Sequence, residues 1–310
     1  MTTIQTQNFG VEIELTGITR AKAAAVIAEY FATNNVRHIG GSYDTYGAFD
    51  REGRIWKAMS DGSIRCTRKL HGETVAAPSS YSCEIVTPIL QYKDMEDLQK
   101  IIRALVKKGA VANSSCGIHV HVDGANHTPD SLSRLLNFAV GRQDLFYEAL
   151  EIGHRADRWC HKANKALFKA IKKDHADRNT IERLWYSNLN DGYTGGISHS
   201  HYNSTRYHGI NLHAYFTKGT VEFRLFNGTT HAGKIKAYVQ FCLAMSAWAI
   251  NTEKDDLFFK KTAGMTQEQK AAIMLRVLTK RLKMRGPEFK TARLHLTSAF
   301  TQTATAAEAA

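Results

Sequence analysis

The chain has 310 residues, 43% of them hydrophobic and 10% aromatic, which excludes wholesale disorder and suffices for one large domain or two modest ones. Five cysteines without a C-x-x-C spacing argue against a disulfide framework or zinc ribbon, and no apolar run is long enough to predict a membrane span. The formal net charge of +12 points to anionic partners, among them nucleotides, nucleic acid and polyacidic peptides, without choosing between them.

Met1 to Asn8 has neither the basic nor the apolar region of an export signal, so reduced thiols and a cytoplasmic location are expected. Phe9 to Leu15 alternates as a strand, with Val11, Ile13 and Leu15 on one face and Glu12 and Glu14 on the other. Two carboxylates projecting together repel unless a cation or donors lie between them, and such hard oxygens suit a divalent metal. An exposed acidic edge explains the pair equally well. Thr16 or Thr19 caps a predicted helix running through Asn34. Gly40 to Gly47 reads as turns. Arg54 to Met59 reads as a strand, and the Asp61-Gly62 step after it predicts a hairpin. Residues 66 to 80 read as a polar loop, and Cys83 to Val86 as a short strand carrying Glu84.

Lys93 to Lys108 is predicted as an amphipathic helix closed by Gly109. In Cys116 to Asp123, His119 and His121 alternate with Ile118, Val120 and Val122, so two imidazoles leave one strand face about 7 Å apart. That spacing suits metal ligation, phosphate contact or proton transfer, although a solvated strand face carries two histidines with no function just as well. Thr128-Pro129 starts a helix toward Leu150. Ala156 to Tyr186 reads as one basic helix with Arg158, Lys162, Lys165, Lys169, Lys172 and Lys173; most such faces are simply solvated. Asp191 to Ser198, with three glycines, reads as a mobile loop, and neither a Walker nor a Rossmann glycine pattern occurs. Gly209 to Phe216 and Thr220 to Phe226 are predicted as a hairpin turning at Lys218-Gly219, with Glu222 and Arg224 as neighbours on its polar face. A buried helix from Lys234 to Ile250, a break from Asn251 to Gly264, a basic helix from Met265 to Met284 and a frayed tail from Thr301 to Ala310 complete the chain.

Glu12, Glu14, Glu84, His119, His121, Glu222 and Arg224 all fall on polar faces of apolar-alternating strands. If those strands form one antiparallel sheet with helices behind it, the polar faces coincide on one concave surface. Four carboxylates and a histidine can hold two or three divalent cations, and the excess of oxygen over nitrogen favours magnesium or manganese over zinc. An arginine beside them binds a phosphate or carboxylate oxygen. This is equipment for moving a phosphoryl group from a nucleotide onto an acid.

The ordered motifs Phe9-Gly10-Val11-Glu12-Ile13-Glu14, Ser60-Asp61-Gly62-Ser63, Glu84-Ile85-Val86-Thr87-Pro88, Cys116-Gly117-Ile118-His119-Val120-His121-Val122 and Thr220-Val221-Glu222-Phe223-Arg224 resemble those of the amidoligase family. That family's catalytic domain is similar to those of glutamine synthetase and glutamate–cysteine ligase. The resemblance covers roughly residues 9 to 250. It implies an α+β fold: a curved antiparallel sheet of the glutamine synthetase catalytic-domain type, packed against helices. The catalytic domain would span residues 1–250, with a basic helical insertion at about 154–200 and a helical extension and tail at 251–310. The implied activity is that of an ATP-dependent carboxylate–amine ligase, which forms an amide or peptide-type bond through an acyl phosphate with ATP and magnesium or manganese. By motif, Glu12, Glu14, Glu84, His119 and Glu222 ligate the metals, Arg224 stabilises the transferring phosphate, and His121 lies toward the nucleotide. Asp61 is the candidate base for the amine proton. Arg206, Tyr207 and Asn211 are candidate substrate contacts from their place before the last hairpin. The acid and the amine stay open; a polyanionic or nucleic-acid-associated substrate would reconcile the site with the net charge.

Two other readings compete. A metal-dependent hydrolase with zinc on His119, His121 and His213 leaves Glu12/Glu14 and Glu222/Arg224 without a task, and it would turn over without nucleotide. A nucleic-acid-binding module built on the basic helices at 158–173 and 265–284 predicts salt-dependent binding that survives loss of every glutamate named.

Overall fold

The computed structural model describes residues 1–173, 176–253 and 261–307, leaving aside the side chains of 172–173 and 302–307. The chain divides into two compact units: the first holds Asn8–Val120 and Phe226–Lys236, the second Met1–Gln7, His121–Leu225 and Ala237–Ala310. Both combine helices with antiparallel strand pairing.

The first unit opens with β1 (Phe9–Leu15), whose Val11, Ile13 and Leu15 are buried as their alternation requires. Gly17 lets the chain turn off this strand: at φ +78° an added Cβ would sit 2.3 Å from the carbonyl oxygen of Gly109. Thr19 then caps α1 (Arg20–Tyr30) by accepting the Lys22 N–H. The stretch read as turns contains two strands, β2 (Val36–Gly40) and β3 (Thr45–Phe49). β4 (Ile55–Met59) pairs with β3, not across a hairpin at Asp61-Gly62. Gly62 lacks the positive φ that such a two-residue turn needs. Asp61 Oδ1 instead accepts the Ser63 N–H at 2.6 Å, and the chain leaves the sheet. The predicted polar loop is a separate hairpin of β5 (Thr67–Leu70) and β6 (Glu73–Ala76), turning on His71 and Gly72 at φ 49° and 86°. β7 (Cys83–Val86) runs antiparallel to both β4 and β1. α2 (Met95–Lys107) buries Leu98, Ile101, Ile102 and Leu105 and packs on α1, which covers β3 and β4. With β8 (Gly117–Asp123) the order becomes β2-β3-β4-β7-β1-β8. Gly117–Val120 of β8 belongs to the first unit and His121–Asp123 to the second.

In the second unit, Thr128 and Pro129 start α3 (Pro129–Val140) as expected, but the helix breaks at Gly141–Arg142 before α4 (Gln143–Ala149). The single basic helix expected from Ala156 to Tyr186 is also divided, into a 3-10 turn, α5 (Lys165–Lys173) and α6 (Arg178–Trp185). Asp177 restarts the helix by accepting the Thr180 N–H at 2.7 Å. The side chains of Lys172 and Lys173 lie outside the described residues. The expected hairpin strand from Gly209 shrinks to β9 (Ile210–Asn211), followed by α7 (His213–Lys218). The Asn211 side-chain carbonyl takes the His213 N–H at 2.8 Å, which turns the backbone out of the strand. Gly219 ends α7 in the left-handed region, and β10 (Thr220–Asn227) pairs antiparallel with β9 in the order β8-β10-β9. α8 (Ala232–Asn251) is the buried helix expected. Much of the expected break after Asn251 lies outside the described residues. α9 (Gln267–Arg276) and a π-turn at Val277–Arg281 fill the predicted basic helix. α10 (Lys290–Ala307) extends into the expected frayed tail, whose residues 308–310 are not described. Among the described residues no helix is long and apolar enough to cross a membrane.

Candidate functional site

Strand register builds the first unit's cluster. In the β1–β7 pairing Glu14 stands directly opposite Glu84, and Glu12 opposite Val86. Like charges opposite one another destabilise an antiparallel pair, and burial raises the cost. Glu14 is 4% exposed and Glu84 8%. The chain compensates in part. The Gly117 N–H donates to Glu14 Oε2 at 2.6 Å, His119 Nδ1 lies 2.9 Å from Glu12 Oε2, and His119 Nε2 lies 3.8 Å from Glu14 Oε1. Gly228 braces the start of β8: its N–H donates to the Cys116 carbonyl at 2.8 Å, and a Cβ there would sit 2.4 Å from that of Cys116. His119 is itself buried, so the solvated-face reading of this imidazole fails.

Asp61 joins the same group. Candidate ligand atoms of Glu14, Asp61 and Glu84 lie within 4.8 Å of one another, and so do those of Glu12, Glu84 and His119. Four carboxylates and one imidazole, with two of the carboxylates buried face to face, are a donor set that fits magnesium or manganese and lacks the thiolates of a structural zinc site. No such group among the described residues includes His213.

In the second unit, Glu222 and Arg224 are not an ion pair on an exposed sheet face. Both are buried, with Arg224 Nη1 donating to Glu222 Oε1 at 2.7 Å. Arg224 Nε donates to the Trp159 carbonyl at 3.3 Å, and its guanidinium stands 5.9 Å from the Tyr207 ring centroid. Glu222 Oε2 accepts from Asn211 Nδ2 at 2.5 Å. His121 Nδ1 lies 3.0 Å from Thr220 Oγ1, and its Nε2 lies 3.8 Å from Glu222 Oε1. Asn211 therefore orients two neighbours at once, the Glu222 carboxylate and the first turn of α7. Tyr207 stacks near two cations, since the Arg206 guanidinium also lies 5.7 Å from its centroid. His213 Nδ1 is tied to the Tyr186 hydroxyl at 2.6 Å, and burial holds its imidazole below the usual histidine range. Reading the sequence missed Trp159 and Tyr186 here, because a backbone carbonyl and a distant phenol leave no local pattern.

The strands and helices define an α+β protein whose first unit gathers four carboxylates and an imidazole. The chain belongs to the amidoligase family: the family model described as "Putative amidoligase enzyme" matches residues 5–246. A search of curated proteins gave no match. Among solved structures, a chain from the crystal structure of the complex between the prokaryotic ubiquitin-like protein Pup and its ligase PafA is similar at 14% identity, with a TM-score of 0.40. The match covers 99% of this chain and 65% of that one.

Proposed function

We propose that this member of the amidoligase family is an ATP-dependent carboxylate–amine ligase of the glutamine synthetase-like kind. The observation that carries the reading is the buried cross-strand pair Glu14 and Glu84, with Glu12, Asp61 and His119 around it. A cation would offset this inward negative charge, and a magnesium ion bound there would also offset the charge of transferring phosphoryl oxygens. In the reaction a substrate carboxylate oxygen attacks the γ-phosphorus of ATP and ADP leaves. An amine nitrogen then attacks the acyl carbon, phosphate leaves, and the nitrogen gives up a proton. Arg224, oriented by Glu222 and the Trp159 carbonyl, supplies planar N–H donors to the phosphoryl oxygens. His121, oriented by Thr220, serves the nucleotide side. We assign Asp61 to the cation cluster and not to proton transfer, because its Oδ1 already takes the Ser63 N–H and its carboxylate groups with Glu14 and Glu84.

Two measurements test this. ADP and phosphate release across paired acids and amines (amino acids, peptides, amines, nucleosides) should appear only when both partners are present; substrate turnover without nucleotide would establish a hydrolase instead. In thermal unfolding, magnesium should stabilise the wild type. Glu14→Gln should unfold at a higher temperature than wild type in EDTA, because the repulsion is relieved, and should gain nothing from magnesium. Equal magnesium stabilisation of both proteins would remove the cation site.

A further inference from the structure

Asp61 reaches the first unit's carboxylate cluster by a different route from its neighbours. Glu14 and Glu84 are set by the β1–β7 register, and pairing with β4 fixes β7 from its other side. Asp61 follows β4 in irregular chain, outside any strand ladder. Its position rests on Ser82 instead. The Asp61 N–H donates to Ser82 Oγ at 2.9 Å, and the same hydroxyl donates to the Asp61 carbonyl at 2.6 Å. One buried serine therefore engages both backbone polar groups of Asp61.

Ser82 is fixed in turn by Arg20, the first residue of α1. The Arg20 side chain is buried and makes four bonds to two irregular segments. Its Nη1 donates to the carbonyls of Ser79 at 2.9 Å and Ser82 at 2.8 Å. Its Nε donates to the Asp44 carbonyl at 3.1 Å, and Nη2 donates to Asp44 Oδ2 at 2.5 Å. Asp44 stands at φ 42°, in the left-handed region, and Arg20 grips it at both the backbone and the side chain. Hydrogen bonds from Arg20 and then His38 hold its carboxyl below the usual carboxylate range. The same turn reaches the neighbour of Asp61, because the Tyr43 carbonyl accepts the Ser60 N–H at 2.8 Å. Asp61 is thus supported directly by Ser82 and through Ser60, and both supports meet at Arg20. A lysine there keeps the charge but cannot direct four bonds from one plane.

We propose that Ser82 and Arg20 are positioning residues that set the Asp61 carboxylate beside Glu14 and Glu84 and so tune the cation affinity of that group; this rests on the cation site inferred above. The test titrates the full chain with manganese(II), without nucleotide, and reads the free ion by electron paramagnetic resonance. Wild type should bind saturably. Ser82→Ala should bind roughly tenfold more weakly or worse, the loss expected when the support of a metal ligand is removed. Ser82→Thr, which keeps the hydroxyl, should stay within a few-fold of wild type, and Arg20→Lys should be weakened. Leu98→Ala destabilises the same unit from the buried side of α2 and should leave the affinity unchanged. Should Ser82→Ala not fold, Asp44→Asn takes its place: the carboxylate is half-exposed, asparagine tolerates φ 42°, and the charge that Arg20 bonds is lost. Asp44→Asn should weaken binding severalfold. Wild-type affinity in the folded Ser82→Ala, or in Asp44→Asn where that variant replaces it, overturns the positioning role and leaves the cation site standing. An equal loss in Leu98→Ala also overturns it, because stability alone would then explain the effect. No saturable binding by wild type refutes the cation site and this role with it. None of these outcomes requires the acid or the amine, so they are independent of whether ADP release is found.

Discussion

Arg224 is the side chain in which fold and chemistry are most closely joined. Its guanidinium bonds a buried carboxylate and a backbone carbonyl and lies near a tyrosine ring, at 4% exposure. Lysine keeps the charge but cannot reproduce two directed bonds from one planar group. Arg224→Lys should therefore cost about 1–3 kcal/mol of stability whether or not the residue touches substrate. Catalysis separates the cases. A donor to the transferring phosphoryl group predicts a kcat loss of roughly 100-fold with ATP affinity little changed. A purely structural pair predicts that the folded variant turns over within a few-fold of wild type. Urea unfolding and steady-state kinetics on the same preparation decide between them.

At the scale of elements, α3 and α8 are joined by polar groups that a hydrophobic pattern does not reveal. His127, just before α3, lies 3.0 Å from Ser131 Oγ and 2.9 Å from Ser246 Oγ of α8. Ser246 donates to Gln7 Oε1 at 2.5 Å, and Gln7 Nε2 donates to the Leu243 carbonyl at 3.0 Å. Burial, aided by the charge of Arg134 and opposed by Asp123, lowers the His127 imidazole to about 4. In the unfolded chain the same ring takes a proton near pH 6.5, so acid favours unfolding. The stability contributed by a neutral, buried His127 is complete above about pH 6.5 and is lost progressively as pH falls toward 4, to a total of about 3 kcal/mol. His127→Gln should be less stable than wild type at pH 7.5, with the gap narrowing by about 2–3 kcal/mol at pH 4.5 in urea titrations. A gap independent of pH would show that the ring titrates normally in the folded protein.

For the whole molecule, the formal net charge is +12. It predicts non-specific attraction to nucleic acid with a steep salt dependence. Affinity for a random DNA duplex should fall by roughly three orders of magnitude or more between 50 and 200 mM salt, the behaviour of a protein making several phosphate contacts. ATP should leave it unchanged. Binding that persists at 200 mM salt, measured by fluorescence anisotropy, would instead make nucleic acid a specific partner and revive the binding-module reading. α5 buries Leu167, Phe168 and Ile171 on its narrow apolar side, which is the ordinary arrangement of a solvated basic helix.

What the sequence determined alone is the set of chemical groups and the strands that carry them. Period-two alternation placed Glu12 and Glu14 on one side of β1 and His119 with His121 on β8, because successive side chains of a strand must point to opposite faces. The order of five short motifs was enough to indicate the amidoligase family, to which the chain belongs. Cap residues were legible for the same local reason: Thr19, Thr128 and Pro129 act on backbone groups within a few positions of themselves. Tertiary structure decided what depends on distant neighbours. Alternation does not give strand register, so only the β1–β7 pairing shows that Glu14 faces Glu84. Periodicity does not register a side chain that captures its own backbone, so Asn211 turned an expected strand into α7 and Asp61 turned an expected hairpin out of the sheet. Burial was decided last: alternation puts Glu222 and Arg224 on one face of β10, but only tertiary structure closes the Trp159 carbonyl, Tyr207 and Asn211 around them, and no local pattern encodes residues brought together from so far along the chain.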